Sequence, residues 1–308
     1  MSSEENVAMP LDAAGLEGIF PPITTPFDAD GRLAADRLAA NIARWNTAGL
    51  AGYVVFGSNG EYVCLSEAEK LELVATVAAA AAPGMKVIAG TGCESTAQTI
   101  ALTNACARAG AHAALVVTPH YYGGQMTDAA LARHFTAVAD AAALPILIYN
   151  VTKFTHVQVS LKLVAELSRH PNIIGIKDSN GNVSFLGEML NAAAPDFRVL
   201  VGTAGALFGA LCLGCAGGVL ALANVAPEAC VRLARLVRQG EIAAAAGLQR
   251  KLLPVNTALT ATYGVPGLKA ALDMLGYYGG DPRPPLLPAG EAEKAAIRDI
   301  LRRAELLD

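Results

Sequence analysis

The chain has 308 residues, 53% of them hydrophobic, enough for one large core or two smaller ones. A formal net charge of −4 with no run of Lys or Arg excludes a basic nucleic-acid surface. Gly, Pro or charge breaks every apolar stretch short of the roughly 20 residues that span a bilayer, and residues 1–10 (MSSEENVAMP) lack a signal peptide's basic start and apolar run, so the cytoplasm is expected.

In chain order, the first apolar, β-rich run is 18–23, followed by TTPF; the second is 53–56, followed by GSNGE. A helix is expected over 67–82, opened by Ser66 as N-cap with Glu69 at its third position. Further strands are expected at 86–89, 114–118, 146–149, 173–177, 198–202 and 218–221, and further helices at 96–109, 128–143, 160–168 and 184–194. Eight strands apolar enough for burial on both faces, alternating with helices, predict a parallel TIM (β/α)8 barrel. From 227 onward the pattern is helical, over 227–239, 241–262, 267–275 and 291–307. The expected organisation is therefore a barrel over 1–226 and, over 227–308, a barrel-closing helix with a C-terminal helical extension. A doubly wound sheet would require a G-x-G-x-x-G turn after the first strand, where the sequence is PPITTPFD.

Barrel enzymes place their chemistry just after the C-terminal end of each strand. Those positions read TTPF, GSNGE, GTGCEST, TPHYY, YN, KDSNGN, GTAG and ALANV, a set rich in hydroxyls, small residues and tyrosines. None of the five histidines pairs with another at ligand spacing, which points away from a metal-dependent mechanism. Cys212 and Cys215 have C-x-x-C spacing, but no second pair or nearby His completes a zinc site, and they read as ordinary buried thiols. The segment 178–182 (DSNGN) fails the spacing of a calcium loop.

Lys177 closes the sixth run (IIGIK), where a strand delivers its side chain toward the barrel mouth. A partly desolvated amine there can attack a carbonyl. By position alone it is equally a lysine reaching solvent, or one paired with Asp178 or Glu61. Tyr149 ends the neighbouring strand, either as a proton relay or as an aromatic cap on the core. Ser58 and Tyr121 are candidates for its hydroxyl network, and the 57–61 turn offers backbone N–H groups to a carboxylate. Lys153, in a polar setting, reads as part of a solvated loop.

These residues resemble the dihydrodipicolinate synthase / N-acetylneuraminate lyase superfamily over about 18–287, through the G-[ST]-x-G-E turn, the Tyr-Tyr pair, Tyr149-Asn150 and Gly-Ile-Lys177-Asp-Ser. The resemblance implies a Schiff base on Lys177, Tyr149 as general acid/base and Ser58 in the proton relay. It also implies that Tyr121 (or Tyr122) is contributed across a subunit contact. Ser58 and Asn59 would bind the carboxylate of a small 2-oxo acid, with Ser179, Gly202 and Val219 completing the substrate site. No cofactor beyond the covalent imine, no metal and no membrane or nucleic-acid partner are implied, and the expected assembly is a homotetramer built as a dimer of dimers.

Within the superfamily, the motifs PP-x-TTPF, GSNGE, GTGCEST, HPNI-x-G-x-KDS and G-x-PGLK…GYYGG are most similar to 4-hydroxy-2-oxoglutarate aldolase. Dihydrodipicolinate synthases carry an Arg where this chain has Phe154. The expected reaction is therefore class I cleavage of 4-hydroxy-2-oxoglutarate to pyruvate and glyoxylate. The alternatives are 4-hydroxy-tetrahydrodipicolinate synthase and a 2-keto-3-deoxy sugar-acid aldolase or dehydratase.

Overall fold

A computed structural model describes residues 11–308; residues 1–10, on which the signal-peptide expectation rests, lie outside the described residues. The strands are β1 (Gly18–Phe20), β2 (Gly52–Val55), β3 (Lys86–Ala89), β4 (Ala113–Val117), β5 (Ile146–Asn150), β6 (Ile173–Asp178), β7 (Arg198–Val201) and β8 (Gly217–Val219). All pair in parallel, in the order β1-β8-β7-β6-β5-β4-β3-β2. The seam between β1 and β2 closes through Ala51 N–H to Ile19 O (3.0 Å), Val54 N–H to Pro21 O (2.9 Å) and Ile23 N–H to Val54 O (3.0 Å). The fold is the expected (β/α)8 barrel. β1 is shorter than its apolar run because Pro21 and Pro22 have no N–H to give the ladder.

The helices are α1 (Ala35–Trp45), α2 (Glu67–Ala80), α3 (Thr96–Arg108), α4 (Asp128–Ala141), α5 (Thr152–Thr155), α6 (Leu161–Leu167), α7 (Val183–Ala192), α8 (Leu207–Cys212), α9 (Pro227–Arg238), α10 (Ile242–Thr257), α11 (Gly264–Met274) and α12 (Glu291–Arg303). The start of α2 has the expected capping box, Ser66 with Glu69. Thr127, Ser160 and Asn182 cap α4, α6 and α7 through their side chains. Three helices were not singled out from the sequence: α1, the single-turn α5 and α8. In α1, Leu38, Asn41, Ile42 and Trp45 are buried at helical spacing; α8 is a Gly-containing stretch of six residues. The run 241–262 is not one α-helix: after α10, residues Ala258–Thr262 adopt a π-helical turn that leads into α11.

The hydrophobic residues divide into two layers. Ile19, Tyr53, Val55, Val87, Val116, Ile148 and Ile176 face the helical ring. Phe20, Val54, Ile88, Leu115, Leu147, Leu200 and Val219 fill the barrel interior, and Leu11 and Leu16 belong to the same inner cluster. Cys106, Cys215 and Cys230 are buried as ordinary thiols, but Cys212, at the end of α8, is exposed, contrary to expectation. Its turn lies on the surface, where α8 gives way to Gly214 in a left-handed conformation.

Candidate active site

Residues paired across parallel strands share a face of the sheet. Val117, Tyr149, Lys177 and Leu200 form such a row across β4 to β7. Because Val117, Tyr149 and Leu200 belong to the interior cluster, Lys177 points into the barrel. It is only 3% exposed, and its Nζ stands 4.0 Å from the Tyr149 ring centroid.

Neither carboxylate that might have neutralised Lys177 does so. Asp178, next along β6, accepts Asn150 Nδ2 at 2.6 Å and Asn180 Nδ2 at 3.0 Å. Glu61 sits 2.7 Å from Lys269 Nζ instead. Among the described residues, Lys177 has no carboxylate within ion-pair distance. A buried amine without a counter-ion, beside a phenol, is a nucleophile with a proton acceptor at hand.

The Tyr149 hydroxyl lies 3.4 Å from Ser58 Oγ. Burial alone would push this phenol up. The Lys177 charge and hydrogen bonds with Ser58, Ser179 and Lys177 outweigh it and hold the group below its ordinary value. Tyr62, lining the same small cavity with Gly90, Gly92 and Val117, shows the opposite behaviour: burial, chiefly, pushes it up to about 12. Two phenols in one cavity are thus driven apart, and Tyr149 is the one suited to exchange protons. Gly92 makes room there, since a Cβ on it would come within 2.5 Å of Val117 N. A larger concavity, about 530 Å³, lies at the opposite end of the strands, among His170, Pro171 and Asn172, away from Lys177.

Ser179 follows β6, with its N–H donating to Asn150 O at 3.0 Å. Gly202 donates its N–H to Asp178 O at 2.6 Å, and a Cβ there would overlap Ser179 Oγ and come within 2.8 Å of its Cα. Only glycine lets β7 pass so close to Ser179. Val219 is buried in β8 as part of the interior cluster, and Asn59 lies in the 3₁₀ turn Ser58–Gly60. Lys177, Tyr149, Ser58 and Ser179 are therefore brought together. Tyr121 is not: its ring is 78% exposed and packs edge-on against Tyr122, with centroids 5.0 Å apart.

Three features were not assigned roles from the sequence. Glu94 fixes the tyrosine loop, its Oε2 accepting the His120 and Tyr121 N–H groups at 2.9 Å each. Lys269, which nothing in the sequence sets apart from the other cations, is wholly buried against Glu61. Lys153 is exposed, as expected, but sits in the short helix α5 rather than a loop, and donates to Thr260 O in the π-helical turn at 3.0 Å, beside the half-exposed Phe154.

Residues 15–304 match the Dihydrodipicolinate synthetase family. The chain belongs to that family. A 4-hydroxy-tetrahydrodipicolinate synthase of Methanothrix thermoacetophila is 36% identical over 93% of this chain and 96% of its own. The dihydrodipicolinate synthase DapA-2 of Bacillus anthracis superposes with a TM-score of 0.89 at 30% identity, over 93% of this chain and 97% of that one. YagE, a prophage protein of the dihydrodipicolinic acid synthase family from Escherichia coli K12, was solved in complex with pyruvate. It superposes with a TM-score of 0.89 at 32% identity, over 94% of this chain and 99% of that one. The resemblance read from the motifs is thereby established, and with it a class I lyase of the dihydrodipicolinate synthase type. These relatives bear the synthase name, the alternative reading, rather than that of 4-hydroxy-2-oxoglutarate aldolase.

Among the described residues no helix is long and apolar enough to cross a membrane.

Proposed function

We propose that the protein joins pyruvate to an aldehyde, or releases it from the corresponding 4-hydroxy-2-oxo acid, through an imine on Lys177. The observation that carries this is the buried, unpaired Lys177 amine paired in register with Tyr149, whose hydroxyl reaches Ser58. The Lys177 amine adds to the 2-oxo carbon, a proton passes through Tyr149 to the departing hydroxyl, and water leaves. The protonated imine withdraws electrons, so a C3 proton is lost and an enamine forms. Its C3 attacks the aldehyde carbon, Tyr149 protonates the new alkoxide, and water hydrolyses the imine to free the product and Lys177. Cleavage is the same sequence reversed, and the scheme requires no metal or organic cofactor. Ser58 and Asn59 hold the 2-oxo acid carboxylate, while Ser179, Gly202 and Val219 shape the site beside the imine.

For the aldehyde, the relatives' names favour aspartate semialdehyde, making the overall reaction that of a 4-hydroxy-tetrahydrodipicolinate synthase. One observation favours glyoxylate and the aldolase direction: Phe154 stands where synthases carry an arginine for the second carboxylate. Both readings share the steps at Lys177 up to the new C–C bond; in the synthase reading the amine of the aldehyde substrate, in place of water, then attacks the imine carbon, closes the ring and displaces Lys177. Borohydride added with pyruvate should fix mass irreversibly on Lys177; labelling at another lysine, or none, overturns the mechanism. Parallel assays of condensation with aspartate semialdehyde and of pyruvate release from 4-hydroxy-2-oxoglutarate decide between the two.

A further inference from the structure

Glu61 is a glutamate where the backbone calls for glycine. It ends the turn Ser58–Gly60 with φ 56° and ψ 37°, the left-handed region that side chains disfavour. Its side chain must therefore be held in place, and it is. One carboxylate oxygen lies 2.7 Å from Lys269 Nζ, and the other accepts the Arg283 backbone N–H at 2.7 Å. Both charged side chains are about 1% exposed. Lys269 in turn donates to Asp281 O at 2.9 Å and stands 4.5 Å from the Phe27 ring centroid. The Arg283 guanidinium covers the same ring and forks onto Glu69 at 2.7 and 3.0 Å.

A buried ion pair is an uneconomical way to stabilise a fold, since apolar side chains of similar volume often serve as well, but it fixes geometry well. What this one fixes is the turn. Within it Glu61 N–H bonds back to Ser58 O at 3.3 Å, and Gly60 O accepts Thr25 Oγ1 at 2.7 Å. The bond at stake, Ser58 Oγ to Tyr149 OH, is 3.4 Å long, near the limit at which a hydrogen bond survives. A shift of a few tenths of an ångström in the turn decides whether it exists.

We infer that Glu61 and Lys269 are positioning residues for the reaction: the helical extension, through Lys269, sets the Ser58 hydroxyl against Tyr149. This rests on the proposed role of Ser58 beside the Lys177 imine.

The test is a thermodynamic cycle with Ser58→Ala. Glu61→Gln/Lys269→Met removes both charges together and leaves no lone buried ion. It should lower kcat for pyruvate release or condensation at least tenfold and change KM for the aldehyde or its adduct less than threefold. Added to that background, Ser58→Ala should cost less than a further twofold, because the hydroxyl is already misplaced. Losses that multiply, or a kcat within twofold of the parent, overturn the inference. If the double variant does not fold, Glu61→Asp, which keeps the charge but shortens its reach, takes its place in the same cycle with the same criteria. Borohydride trapping of pyruvate on the parent enzyme separates the two possible failures. A parent that does not trap refutes the mechanism, whereas one that traps while the cycle is additive refutes only the role of Glu61 and Lys269.

Discussion

Tyr149 and Lys177 are direct partners in the β5–β6 register, and the Lys177 Nζ stands 4.0 Å from the centre of the Tyr149 ring. The amine lies over the ring and within reach of its hydroxyl, so its charge and hydrogen bond, with the bonds from Ser58 and Ser179, hold the phenol below its ordinary value. Tyr149→Phe keeps the ring and its packing but removes the proton relay. Turnover should fall by about 10²–10⁴-fold, the usual range for an acid/base group, while borohydride still traps pyruvate on Lys177 more slowly. Ser58→Ala should cost less. Turnover of Tyr149→Phe within twofold of the parent rules out the relay.

Gly202 tests how tightly the site is built. An added methyl would overlap Ser179 Oγ and crowd its Cα, and Gly202 N–H is tied to Asp178 O, so neither strand can retreat cheaply. Gly202→Ala should destabilise the fold by about 1–3 kcal/mol, as overpacking does. It should also lower kcat on the order of 10²-fold through displaced site groups. Urea unfolding and turnover measured on one preparation check both, and unchanged kcat would place Ser179 outside the machinery.

Phe154 bears on the second substrate. It is half exposed on α5, directly after the strand carrying Tyr149, and the neighbouring Lys153 is occupied with Thr260 O. An arginine there would offer a fork to a carboxylate. Phe154→Arg should raise kcat/KM for aspartate semialdehyde about tenfold, the worth of one good charge-assisted contact, with pyruvate trapping unchanged. No gain would mean that the second carboxylate is recognised elsewhere.

The barrel was readable because it depends on local pattern: apolar runs, caps, and residues just past strand ends; position alone left Lys177 and Tyr149 open, and their roles with Ser58 came from the motif resemblance. What was not readable depends on contacts distant in sequence. Glu61 was as plausible a partner for Lys177 as for any other cation, and only the fold brings Lys269, 208 positions further on, to within 2.7 Å of it. The break between α10 and α11 was missed although Pro254, four residues before the π-helical turn that starts at Ala258, marks it in the sequence. Helix α1 was not singled out, although Leu38, Ile42 and Trp45 stand at helical spacing in the sequence.

His134 supplies a pH prediction for stability. It is buried on α4, its Nδ1 2.9 Å from Thr96 Oγ1, and burial lowers its pKa to about 4 despite the opposing charge of Glu94. In the unfolded chain it titrates near the ordinary imidazole value of 6.5. Above pH 6.5 neither state is protonated and stability is complete. As pH falls toward 4 the unfolded chain takes up a proton that the folded one refuses. That removes up to about 3 kcal/mol. Urea unfolding at pH 7, 5.5 and 4.5 should show this loss in the parent and a flatter difference in His134→Gln. Parallel slopes for the two proteins would mean that His134 is not the group responsible.

The tyrosine loop carries the prediction about assembly. Tyr121 and Tyr122 are 78% and 70% exposed, although Glu94 holds the loop by accepting the His120 and Tyr121 N–H groups and pairs with the His120 ring at 2.9 Å. A loop fixed in place with two large aromatic rings presented to solvent is costly for a monomer and suits a contact between identical subunits, where each ring buries apolar area while its hydroxyl stays hydrogen-bonded. We expect a homotetramer, assembled as a dimer of tight dimers, in which Tyr121 of one subunit completes the Ser58–Tyr149 network of its neighbour. Sedimentation at micromolar concentration should give a species of four 31.6 kDa chains. Tyr121→Ala should weaken the dimer contact, and Tyr121→Phe should lower turnover while leaving assembly intact. Mixing Tyr121→Phe with Lys177→Ala subunits should recover activity above that of either variant alone, since a hybrid dimer contains one site with both groups intact. A fully active monomer, or mixtures with no recovery, would confine Tyr121 to its own chain.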